Sequence, residues 1–120
     1  MAATKRGRIL ALVTTKGGAG KSTLAASIAG ELLKRGERVT LVDADPQSAG
    51  GLSQWYRAGE GLAAAALLIE PTERAATVAR EASASSIVIV DVGGAFTKTT
   101  VAVLAAADVV LVPARPSALD

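Results

Sequence analysis

The sequence contains no cysteine and no histidine. Without cysteine the chain can hold no disulfide scaffold, thiolate zinc site or iron–sulfur cluster, and its composition suits a reducing cytosol. Without histidine, proton handling and metal binding must rest on carboxylates, hydroxyls, lysines or backbone groups, which favours hard cations with oxygen ligands. Aromatic residues are 2% of the chain, so a core has to be built from Ala, Val, Leu and Ile, which suits close packing of helices on a sheet. Excess charge is scarce as well: a net +2 is too small to be the footprint of a nucleic-acid-binding surface. No run approaches the ~20 apolar residues that cross a bilayer. The basic cluster Lys5, Arg6, Arg8 leads into the apolar run Ile9 to Val13, which is shorter than a secretory h-region of about 7 to 15 residues. That run reads as a buried first strand, and a soluble, cytoplasmic chain with no membrane partner is expected.

What is present is enough for one domain: 120 residues, 50% of them hydrophobic. Ile9 to Thr14 ends in a glycine-rich turn, and Ser22 to Arg35 follows with helical spacing through Leu24, Ile28 and Leu32. Lys34 and Arg35 suit the negative end of that helix, and Gly36 offers a left-handed C′ residue to stop it. Val39 to Val42 predicts a second strand, Ser48 to Ala58 a short helix, and Ala63 to Ile69 a short strand. Thr72 is the expected N-cap of a helix to about Ala82, with Ala76, Val78 and Ala79 inward and Arg74 and Arg80 outward. Ile87 to Val90, a helix from about Thr97 to Ala107, and Val109 to Val112 complete the order. Strands alternating with helices, each strand apolar on both faces, predict an α/β fold: three layers, with a mainly parallel sheet between helices. No domain boundary or internal repeat is visible.

The segment Lys16-Gly17-Gly18-Ala19-Gly20-Lys21-Ser22 lies between the first strand and the first helix. The strict phosphate-loop pattern would need glycine at position 15, which is Thr15, so only a variant pattern fits. Its physics is the same. Gly17, Gly18 and Gly20 let successive N–H groups turn toward phosphate oxygens, backed by the positive end of the helix dipole. Lys21 is expected to neutralise the β/γ-phosphates, Ser22 to ligate Mg²⁺ through its hydroxyl, and Thr23 to donate to the α-phosphate. The bland alternative is a glycine-rich turn with cations nearby. Asp43 and Asp45 follow the second strand, at the sheet edge where parallel α/β folds gather ligands. Asp91 ends the strand at Ile87, placed to meet Mg²⁺ through a water, and Gly93 and Gly94 follow it. A capping aspartate is the alternative for Asp43.

Lys16 stands where an ordinary phosphate loop requires no lysine. The whole segment resembles the deviant Walker A loop of the ParA and MinD proteins. That resemblance implies that Lys16 reaches the phosphates of a partner subunit in an ATP-sandwich dimer, in the manner of an arginine finger. Asp43-Ala44-Asp45-Pro46-Gln47 is similar to the family's D-x-D-P-Q switch, which implies that Asp45 positions the attacking water and that Asp43 assists near the Mg²⁺ shell. Pro46-Gln47 favours the partition branch over the MinD branch. Val92-Gly93-Gly94 departs from the family's usual pattern. Pro113, Pro116, Ser117 and Asp120 match a P-x-x-P-S-x-x-D stretch, which in the family lies near nucleotide and dimer partner.

The resemblance implies an ATPase switch for DNA segregation that uses ATP/ADP and Mg²⁺ and dimerises on ATP. A centromere-binding partner would stimulate it, and in complete form it would bind non-specific DNA and associate with the nucleoid. Catalysis would rest on Lys16, Lys21 and Asp45; nucleotide binding on Gly17, Gly18, Ala19, Gly20, Lys21, Ser22, Thr23, Pro113 and Pro116; metal binding on Ser22, Asp43 and Asp91. A nucleotide-binding module without turnover, or a MinD-like positioning ATPase, are the rivals. Because folds of this kind ordinarily continue past Pro113 to Asp120, the chain is expected to be the N-terminal portion of a longer domain.

Overall fold

The computed structural model describes residues 8–13, 21–45, 52–57, 62, 64–93 and 97–113, with the backbone alone at 21–23, 54 and 55. Five parallel strands, β1 (Ile9–Leu12), β2 (Val39–Asp43), β3 (Ala66–Ile69), β4 (Ile87–Asp91) and β5 (Val109–Leu111), form one sheet in the order β3-β2-β4-β1-β5. Four helices connect them in turn: α1 (Lys21–Lys34), α2 (Leu52–Arg57), α3 (Arg74–Ala82) and α4 (Lys98–Ala106). The expected three-layer architecture is therefore present.

Alternation along the strands sorts side chains between two cores. Leu12, Val39, Leu41 and Ile89 pack under α1 and α2 with Ala25, Ala26, Ala29 and Leu52. Ile9, Ala11, Val42, Val88 and Val90 point the other way, onto Ala75 and Ala79 of α3 and Val103 of α4. Alanine dominates the helix side of both contacts, which lets helix backbones sit close to a sheet of branched residues. Ala75 joins this core although the pattern of α3 placed only Ala76, Val78 and Ala79 inward.

Local signals set most element ends. Gly36 adopts φ +84°; its N–H donates to Leu33 O and that of Glu37 to Leu32 O, both at 3.0 Å, the paired bonds that close a helix on a left-handed residue. Thr97 caps α4 by accepting from Thr100 N at 3.3 Å. Thr72 departs from expectation: α3 begins at Arg74 behind Glu73, whose side chain makes no capping bond. The Thr72 hydroxyl instead accepts from Arg74 N at 3.2 Å, which satisfies a first-turn donor from one residue further out. The edge strands also depart from the two-faced burial expected of them. Leu68, Ile69, Val109 and Val110 are exposed, because among the described residues β3 and β5 each have a neighbour on one side only.

Candidate functional site

Register decides what meets at the sheet's C-terminal edge. Leu12 of β1 pairs with Asp91 of β4, and Asp91 pairs with Asp43 of β2. Three adjacent strands thus end level, with two carboxylates side by side and the start of the segment leading to α1 beside them. Paired residues of parallel strands face the same way. Ile89 and Leu41 belong to the core under α1 and α2, so Asp91 and Asp43, two residues further along, lie on that same side. The backbone ladder runs past both ends: Ala44 N donates to Asp91 O at 2.9 Å and Val92 N to Leu12 O at 3.1 Å.

Asp43 and Asp91 are both buried. A buried carboxylate needs donors or a cation. Oδ1 of Asp43 accepts from Asp45 N at 2.9 Å, and Oδ2 accepts from Ser53 N at 3.2 Å and Ser53 Oγ at 2.5 Å. Asp43 thereby joins the end of β2 to the start of α2, the capping arrangement that stood as the alternative to a place near the metal. Asp45 is half-buried, and its carboxylate lies against Gly93: a Cβ built on Gly93 would stand 3.1 Å from Asp45 Oδ2 and 3.2 Å from Cγ. Gly93, without a Cβ, leaves room for the Asp45 side chain beside it.

Lys21, Ser22 and Thr23 form the first turn of α1, so the segment expected to bind phosphate runs from the end of a central strand into a helix N-terminus, where free N–H groups and the dipole favour anions. Lys16, Gly17, Gly18, Ala19 and Gly20 lie outside the described residues, as do Pro46, Gln47, Gly94, Pro116, Ser117 and Asp120. Pro113 is half-buried two residues past β5, away from the row formed by Asp43 and Asp91. The donors the described part offers a cation are carboxylate oxygens, the ligands Mg²⁺ prefers, and Asp91 sits next to the strand that feeds α1. Among the described residues no three carboxylates cluster as a metal set; Asp43 and Asp91 supply two carboxylates of the chemistry that a hard divalent cation prefers. Ser53 escaped the sequence reading: a serine ten residues past an aspartate belongs to no motif, and only the fold brings the two together. No described helix is long and apolar enough to cross a membrane.

Comparison with known proteins agrees with this geometry. The family described as CobQ/CobB/MinD/ParA nucleotide binding domain matches residues 10–70. The chain is 36% identical over 114 residues to Protein ParA of Rhizobium radiobacter, covering 93% of this chain and 50% of that one. It is 39% identical over 114 residues to Maintenance of carboxysome distribution protein A of Gloeobacter kilaueensis, covering 94% and 51%. The chain thus spans about half the length of these curated relatives. Among solved structures it resembles cobyrinic acid a,c-diamide synthase of Mycobacterium smegmatis with bound ATP analog and magnesium, with TM-score 0.71, 26% identity and coverage of 90% and 60%.

Proposed function

The chain belongs to the CobQ/CobB/MinD/ParA nucleotide binding domain family, and on that premise we propose that it is a Mg-ATP-dependent switch that hydrolyses ATP and serves DNA segregation. The observation that supports this reading is the level row of Leu12, Asp91 and Asp43 at the end of the strand from which the chain leads into α1. Gly17, Gly18, Ala19 and Gly20 bind phosphate through backbone N–H groups, Lys21 neutralises it and Thr23 donates to it. Ser22 and Asp91 would hold Mg²⁺, which would supply charge neutralisation on the phosphates when bound. Asp43 keeps Asp45 beside that shell, and Asp45 orients the attacking water. Positioning and charge suffice; no nucleophilic side chain is required. Lys16 acts across an ATP-dependent homodimer, with Pro113 and Pro116 near nucleotide and partner. A centromere-binding protein stimulates turnover, and the full-length protein works in the cytoplasm on nucleoid DNA. The carboxysome-distribution relative favours a second reading of the cargo, with the same switch.

Two substitutions test the reading on the full-length protein. Lys21→Ala removes the cation closest to the phosphate, so affinity for a fluorescent ATP analogue should fall at least a hundredfold. Lys16→Gln should leave that affinity within about threefold while abolishing ATP-driven dimerisation in sedimentation and lowering turnover, because its partner phosphate exists only in the dimer. Unchanged nucleotide affinity in Lys21→Ala would overturn the phosphate-loop assignment.

A further inference from the structure

The Asp43 carboxylate brackets the segment that carries Asp45. It accepts the N–H of Asp45 at one end and both donors of Ser53 at the other, so one side chain spans positions 46–51. Its own backbone is fixed: Asp43 pairs with Asp91 on one side and Ile69 on the other. The Ser53 hydroxyl donates to Oδ2 beside the Ser53 N–H, so this oxygen takes both of its donors from one residue. Asp45 also rests on Gly93, where an added methyl group would stand 3.1 Å from Oδ2.

We propose that Ser53 is a positioning residue for ATP hydrolysis: through Asp43 it sets where the Asp45 carboxylate stands. The proposal rests on the ATPase reading above and assigns a role to a residue outside the proposed nucleotide and metal ligands. Ser53 is buried, so water cannot replace its hydroxyl freely. Without it, Oδ2 keeps a single N–H, the carboxylate can rotate, and the acceptor that fixes the Asp45 amide moves with it. A shift of about 1 Å in a water-positioning group costs on the order of 10- to 100-fold in rate, whereas phosphate affinity, built elsewhere, stays.

The test compares full-length wild type with Ser53→Ala and Ser53→Thr, measuring ATP affinity, single-turnover hydrolysis and hydrogen exchange at the Asp45 amide without nucleotide. The expected result for Ser53→Ala is hydrolysis slowed at least tenfold, ATP affinity within twofold, and faster exchange at Asp45. Ser53→Thr, which keeps the hydroxyl, should restore both rate and protection. Hydrolysis and exchange that stay at wild-type values in Ser53→Ala, or rate and affinity that fall together and are not restored by threonine, overturn the proposal. Wild-type protein that neither binds nor hydrolyses ATP overturns the ATPase reading instead. The exchange data then still report whether Ser53 holds Asp45, and unchanged protection refutes that as well. Should Ser53→Ala fail to fold, Ser53→Cys, a weaker donor of similar size, takes its place under the same criteria.

Discussion

At the scale of single residues, Asp45 and Gly93 lie against each other, and the proposed hydrolysis depends on where that carboxylate stands. The contact between them predicts that Gly93→Ala acts as a mild version of Asp45→Ala. The new methyl would stand 3.1 Å from Oδ2, so the carboxylate must give way by a few tenths of an ångström. Asp45→Ala should bind ATP normally and hydrolyse it at least a hundredfold more slowly, and Gly93→Ala should lose roughly tenfold. Single-turnover assays beside nucleotide titrations check both, and wild-type hydrolysis in Gly93→Ala refutes the contact's role. Much of this site was legible early. Asp43, Asp45 and Asp91 each follow an apolar β-run, and that position alone aims a carboxylate at a sheet edge. What could not be read was which of them touch. Two aspartates 48 residues apart, at 43 and 91, become neighbours only through strand order, and Ser53 reaches Asp43 only because α2 folds back under β2.

At the scale of elements, α1 and the turn that stops it hold a pair of glycines with opposite expectations. Gly36 has φ +84°, and a Cβ there would meet nothing within 4 Å, so Gly36→Ala carries a purely conformational cost of about 1–2 kcal/mol. Gly30 lies inside the helix with equally open surroundings, so Gly30→Ala should stabilise by about 0.5–1 kcal/mol. Thermal unfolding should show the first variant with a lower Tm and the second with a higher one, a shift of several degrees each. Equal shifts in one direction would contradict the assigned backbone. Element type was readable wherever hydrophobic spacing was long, as in α1, or β-branched residues ran together, as in β4. The start of α3 was not, because Thr72 serves the helix from one position further out than a cap. The strand at Ala66 was readable mainly from the glycines before it and the proline after it, since alanine favours neither state strongly.

For the molecule as a whole, the sheet ends in two apolar margins. Val109, Val110 and Val112 are exposed at the β5 edge and Leu68 and Ile69 at the β3 edge. Exposed strand edges that have no neighbour among the described residues tend to associate. This chain alone, without nucleotide, should show concentration-dependent mass in light scattering, reduced by Val110→Lys; a constant monomer across a dilution series would refute this. Composition could not have shown these margins, because the apolar runs of β5 and β4 read alike and differ in having one neighbour or two among the described residues. The level ends of β1, β2 and β4 have a further consequence, which concerns deletions rather than substitutions. The alternation that sends Ile89 into one core and Val90 into the other also decides which side of the sheet receives Asp91. Removing one residue from β4 would turn that carboxylate toward α3 and α4. Removing two would restore its side but draw it back by roughly 7 Å. Core and site therefore share a single phase: the connections outside the strands can change length, but β2 and β4 cannot lose a residue without losing the chemistry at their ends.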